Sequence, residues 1–166
     1  MYLPKPLSFT TLAVLFTLIF IGGYVSASGV GLSCPDWPLC PQGLVPHEDF
    51  IIEYIHRSVA AMTGMLVIAT MAFTLKSKVA PNGMKIASII AAGAVIGQIT
   101  LGAIVIVERL HAILVTAHLG LGLVLFSMVL ITMLYAFKID NKTIKTTAAV
   151  SPTNLSATRD NDNNYK

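Results

Sequence analysis

Four long apolar runs divide the chain, at residues 7–25, 51–75, 86–107 and 112–137, and polar or breaker-rich segments separate them. Each run is about 19–26 residues long, and about 20 residues of helix suffice to cross a bilayer. Backbone groups in hydrocarbon must bond within their own segment, so the runs predict helices and not strands. The expected fold is all-α and integral to a membrane: a four-transmembrane-helix bundle over residues 1–140. The first run admits a second reading as a cleaved signal peptide, with Lys5 as its basic flank and Ser26-Ala27-Ser28 as small residues for cleavage. Its length, and the helix-packing and interfacial character of Gly22, Gly23 and Tyr24, favour a retained helix.

The segments between the runs differ in kind. Residues 26–49 hold Gly29, Gly31, Pro35, Pro38, Pro41, Gly43 and Pro46, a density of breakers that excludes a regular element. Trp37 sits among them with the character of an interfacial anchor. A connection of that length is often functional. Residues 76–85, with Pro81-Asn82-Gly83, predict a turn, and Glu108-Arg109-Leu110-His111 a tighter one. The third run is rich in Gly and Ala, a surface suited to close helix packing within the chain or between copies. From residue 141 to 166 the chain is Asn-, Asp-, Thr- and Lys-rich, and is expected to be a disordered tail. A weak repeat relates the two halves: each hairpin carries a Gly-containing segment, an outer connection, and then a histidine, His56 or His118.

Composition agrees with a membrane protein: 55% of residues are hydrophobic and only 11% charged, with a mean hydropathy of +0.75. Charge placement predicts orientation. Lys5, Lys76, Lys78, Lys85, Lys138, Lys142 and Lys145 flank one side of the runs. Arg57 and Arg109 are accompanied on the other by Asp36, Glu48, Asp49, Glu53 and Glu108. The positive-inside rule then puts both termini in the cytoplasm and loops 26–50 and 108–111 outside the cell (plasma) membrane. A net charge of +3 without a basic patch gives no reason to expect nucleic acid as a partner. Cys34 and Cys40 fall in the outer, oxidising compartment. Their spacing is not C-x-x-C, and two readings stand: a structural disulfide closing a short loop, or a redox-active pair.

Ionisable residues inside the runs are the candidates for chemistry, because each is expensive there. Glu53, His56 and Arg57 open the second run, and His118 lies near the start of the fourth. Those two helices run in the same direction, and each histidine lies about six residues from its start, hence roughly 9 Å down. Two imidazoles at matching depth in a bundle suit axial ligation of a haem, and so of its iron. The alternative is a pair of packing histidines bonded to carbonyls. Zinc or copper would need third and fourth ligands at that depth. Gly64, Gly120 and Gly122 are expected to make room for a flat macrocycle. Glu53 shares a helix face with His56, where a carboxylate can accept a proton or stabilise a developing cation. It is equally spaced for an i,i+4 ion pair with Arg57 at the helix start. Arg57 suits a haem propionate. His111, at the outer edge, reads as a solvated surface histidine.

Gly22-Gly-Tyr-Val, Gly29-Val-Gly-Leu-Ser-Cys-Pro-Asp-Trp-Pro-Leu-Cys, Glu53-Tyr-Ile-His-Arg and Val115-Thr-Ala-His-Leu together resemble the N-terminal half of haem A synthase, over about residues 20–120. The resemblance implies oxidation of the ring methyl of haem O to the formyl of haem A, for assembly of cytochrome oxidase. It implies His56 and His118 as haem ligands, Glu53 as the carboxylate of the oxidation, and Cys34 and Cys40 as a disulfide-bonded outer pair. Resident haem b or haem O/A, a haem O synthase and cytochrome oxidase subunits are the implied cofactors and partners. Typical members have eight helices in two similar halves, against four here, so a homodimer rebuilding eight helices is one expectation and a single haem site the other. Two further readings compete. A b-type membrane cytochrome exchanging electrons with quinol needs the histidines but not Glu53. A disulfide-forming membrane protein needs the cysteines but not the histidines.

Overall fold

A computed structural model describes residues 5–32 and 51–163. The chain is helical: α1 (Lys5–Ser28), a 3-10 turn (Val30–Leu32), α2 (Ile51–Lys76), α3 (Asn82–Val107) and α4 (Ala112–Asn163). Among the described residues four helices are long and apolar enough to cross a membrane, the apolar part of α4 being Ala112–Ile139. The protein is a multi-pass membrane protein of four antiparallel helices. Cys34, Cys40, Trp37 and most of the loop that carries them lie outside the described residues.

Two boundaries differ from the hydropathy pattern. α3 starts at Asn82, four residues before its apolar run, because Pro81 (φ −69°, ψ 158°) supplies the extended residue ahead of the first turn. The amides of Met84 and Lys85 then donate to the Pro81 carbonyl at 3.0 and 3.2 Å. α4 is helical through Asn163, beyond the boundary at residue 140.

The helices pack as a ring. α1 lies on α2, α2 on α3, α3 on α4 and α4 on α1. α2 and α4, the two helices that carry histidines, are therefore diagonal neighbours running the same way. Leu15, Val67, Ala91, Ala94, Val95, Leu125 and Val129 bring all four helices together at mid-height. Ala80, Met84 and Ala136 close the end away from the histidines. Buried Ala91, Ala92 and Ala94 let α3 approach its neighbours closely. Large side chains such as Phe20, Ile96 and Ile113 point outward, as lipid-facing residues do.

Buried hydroxyls obey the same constraint as the backbone. Those of Thr63, Thr74 and Thr132 donate to the carbonyl four residues earlier at 2.7, 2.7 and 2.8 Å, so these three are satisfied within their own helices. The Thr11 and Thr70 hydroxyls also meet each other at 3.0 Å, a polar contact from α1 to α2.

At the other end, α3 turns into α4 within four residues. Leu110 N–H donates to Val105 O at 2.8 Å and Arg109 N–H to Ile106 O at 3.1 Å, the paired bonds of a Schellman stop. Arg109 and Leu110 take left-handed φ values of 50° and 61°, positions usually left to glycine. Leu110 is compensated by packing: its methyls lie 3.3 Å from where a Cβ on Gly31 would stand. The 3-10 turn after α1 is thereby pinned to the α3–α4 turn.

Candidate functional site

His56 is the sixth residue of α2 and His118 the seventh of α4, so parallel helices deliver both imidazoles to one end of the bundle at nearly equal depth. His118 and the Arg57 guanidinium both lie within electrostatic reach of the His56 ring. The fully buried members of the mid-height apolar cluster on α2 and α4, Val67, Leu125 and Val129, lie about two turns or more further in. Each ring has a buried Nδ1 without a hydrogen-bond partner. A packing histidine ordinarily satisfies that atom from a nearby carbonyl. The carbonyl-bonded packing reading of the pair therefore loses its main support.

Both rings rest on glycine. A Cβ on Gly22 of α1 would stand 3.0 Å from Cε1 of His56, and one on Gly102 of α3 would stand 3.4 Å from Cε1 of His118. The two contacts are equivalent by the internal repeat: Gly22-Gly-Tyr-Val aligns with Gly102-Ala-Ile-Val, and the last residues, Val25 and Val105, are each 8% exposed. The ascending helix passes directly beside the imidazole of the descending one in both places, so a side chain at Gly22 would crowd the ring and one at Gly102 would just touch it.

These are not the glycines that spacing along α2 and α4 pointed to. A Cβ on Gly64 would meet Ile99 and Val95 of α3 at 3.8 and 4.0 Å, so Gly64 serves helix packing. Gly120 faces open space, and Gly122 lies under the Gln98 side chain. The glycines that meet the imidazoles lie on neighbouring helices, because the ring of each histidine leans onto the helix beside it. The repeat was the signal that held the answer, since it puts Gly22 and Gly102 in register.

Glu53 is almost wholly buried, at 2% exposure, and its Oε1 accepts from Nη2 of Arg57 one turn on. The i,i+4 pair anticipated from spacing is thus formed, in the first turns of α2, where a carboxylate also suits the helix dipole. Pairing does not remove Glu53 from the site. It stands three residues before His56 on the same face and is the buried carboxylate nearest to it along the chain. His111 is exposed at the outer turn, and its N–H donates to Glu108 O at 3.2 Å.

Gln98 stands out in the sequence as the one strongly polar side chain of the third run, but its partner does not. Gln98 of α3 donates from Nε2 to the backbone carbonyl of His118 at 2.8 Å. Its target is a main-chain atom, which no residue-type motif reveals.

The arrangement can hold a planar metal macrocycle between two imidazoles. Among the described residues no group of three or more His, Cys, Asp or Glu is gathered as for a bare metal ion. A pair of histidines on diagonal helices with a carboxylate alongside is chemically suited to bis-imidazole ligation of such a macrocycle.

Comparison with known proteins gives the family. The model of the cytochrome oxidase assembly protein family matches residues 5–50 and 45–158. The chain belongs to this family. Similar relatives include proteins named Heme A synthase from Bacillus licheniformis, 35% identical over 136 residues, and from Geobacillus kaustophilus, 32% identical over 137. A Heme A synthase from Staphylococcus aureus is 31% identical over 137 residues. The matches cover 80%, 80% and 78% of this chain but 45%, 43% and 44% of those relatives. The chain thus spans less than half the length of the curated relatives it matches. The Cys34 and Cys40 segment falls within the family match, at residues 5–50.

Proposed function

We propose that this chain acts in haem A synthesis, oxidising the ring methyl of haem O to a formyl group for cytochrome oxidase assembly. The observation that carries the reading is the pair His56 and His118, at one level on diagonal parallel helices, each on a glycine and each with an orphaned Nδ1. Family membership supports it. His56 and His118 would hold the haem through its iron, and the bound macrocycle would supply the redox chemistry.

The other residues act around it. Oxidising the methyl to an aldehyde takes its oxygen atom from water, passes four electrons to an acceptor outside this chain and releases four protons; the Glu53 carboxylate accepts one of them or stabilises positive charge developing beside the ring edge. Arg57 holds Glu53 in place and offers a guanidinium to a propionate. The surrounding apolar helix ends exclude bulk water, which strengthens both interactions. The distribution of lysines supports a plasma-membrane orientation with both termini cytoplasmic, and hence a haem site toward the outer face. The polar residues 141–166 stay on the cytoplasmic side.

The test is to co-express the chain with a haem O synthase, purify it, and extract and weigh its haem. Haem A or its hydroxylated precursor is expected, and Glu53→Gln is expected to keep bound haem while losing those products by about 100-fold or more. Haem b alone, unchanged by Glu53→Gln, would replace this reading with an electron carrier. No haem in freshly solubilised protein would remove the bis-imidazole site altogether.

A further inference from the structure

The two hairpins are alike in their glycine–histidine contacts and unlike one turn deeper. Four residues before Gly22 the first hairpin has Leu18, and four before Gly102 the second has Gln98. Four residues after His56 comes Ala60, and four after His118 comes Gly122. The substituted positions meet: a Cβ on Gly122 would stand 2.8 Å from Nε2 of Gln98, so only glycine there lets the amide reach the His118 carbonyl. A carbonyl oxygen accepts and cannot donate, which fixes the amide with its nitrogen toward His118. The other end, Oε1 of Gln98, is buried without a partner. Leaving a buried acceptor unsatisfied works against stability. An apolar side chain, as Leu18 is in the first hairpin, would avoid that penalty. Gln98 is thus poorly explained by packing alone.

We propose that Gln98 is a positioning residue for His118: seated over Gly122, it ties the His118 turn of α4 to α3 and holds that imidazole at the height and tilt of an axial ligand. This rests on the bis-imidazole reading above. The first hairpin needs no such tie, because His56 is wedged more tightly on Gly22, at 3.0 Å against 3.4 Å for His118 on Gly102. The second ligand, with the looser cradle, is the one whose backbone is clamped. The two ligands are therefore held by different means, and weakening the clamp should free His118 rather than His56.

The experiment uses purified, haem-loaded protein. The spin state is read by optical and electron paramagnetic resonance spectra, carbon monoxide binding is read on the reduced form, and thermal stability is measured alongside. Gln98→Met keeps the volume and removes the donor. Gly122→Ala keeps Gln98 and pushes its amide away. Wild type is expected to be six-coordinate, low-spin and nearly inert to carbon monoxide. Each variant should keep its haem but raise the carbon monoxide-reactive, high-spin fraction by about three- to twentyfold, the range expected for one interhelical hydrogen bond in a bilayer. The double variant should be no worse than the stronger single one, since both break one contact. Leu18→Met, at the equivalent place in α1, should leave the spectra unchanged. Should both variants lose thermal stability while the folded protein keeps the wild-type spectrum and carbon monoxide inertness, Gln98 is merely a packing tie and the proposal is overturned, with the haem reading intact. Wild-type protein that takes up no haem would overturn both.

Discussion

Gly22→Ala separates ligand geometry from helix stability. The new Cβ would stand 3.0 Å from Cε1 of His56, 3.6 Å from Nδ1 and 3.9 Å from Nε2. Carbon atoms pack best at about 3.5–4.0 Å, so the ring must retreat by roughly 0.5–1 Å. Helix propensity favours alanine over glycine by about 1 kcal/mol, and forcing a methyl into a filled place typically costs about 1–3 kcal/mol. The two nearly cancel in global stability, leaving a net change of about 0 to 2 kcal/mol. They do not cancel at the site, where the whole displacement falls on an axial ligand. Gly23→Ala is the internal control, because nothing lies within 4 Å of its Cβ position. It should gain the propensity term and leave the ligand alone. Gly102→Ala should fall between them, with its Cβ 3.4 Å from His118 Cε1. The assay is haem titration of purified protein in detergent with the low-spin spectrum as readout, together with thermal unfolding of the same samples. Haem affinity should fall in the order Gly23→Ala, Gly102→Ala, Gly22→Ala, the last by about tenfold or more for a loss of ~1.4 kcal/mol. Equal affinity for Gly22→Ala and Gly23→Ala would refute the glycine cradle.

Other expectations concern stability. Arg109→Gly relieves a left-handed residue at the α3–α4 turn (φ 50°) and should stabilise the fold by about 0.5–1 kcal/mol once the added freedom of the unfolded chain is counted, read as a higher unfolding temperature. A lower unfolding temperature would mean that the Arg109 side chain matters more than its backbone. For the Thr11 and Thr70 contact at 3.0 Å, a double-mutant cycle to valine should show a coupling of about 0.6 kcal/mol and no more than about 1.7, measured by unfolding in detergent. Strict additivity would show that each hydroxyl gives its single proton to its own helix, since each oxygen also lies 2.8 Å from the carbonyl four residues back.

What was legible in the sequence was whatever the bilayer dictates one helix at a time. Runs of about 20 apolar residues have only the helix open to them in hydrocarbon, so all four spans could be read directly. Depth could be read too, because 1.5 Å per residue turns a position into a height, and it put His56 and His118 level. The pairing of Glu53 with Arg57 followed from spacing within one helix. Azimuth was not legible. The spans are apolar on nearly all sides, so no polar stripe marks which face turns inward. Which glycine meets which side chain depends on that rotation. Gly64 and Gly120 could be picked out by their spacing from the histidines along one helix, whereas Gly22 and Gly102 meet the imidazoles from neighbouring helices. The tie from Gln98 to His118 was hidden for a related reason: it joins residues 20 apart through a main-chain oxygen. Sequence alone determined that four helices span the membrane and carry two histidines to one level. Only packing decided what cradles each imidazole, because in an apolar helix rotation about the axis is set by the shape of its neighbours and not by contact with water.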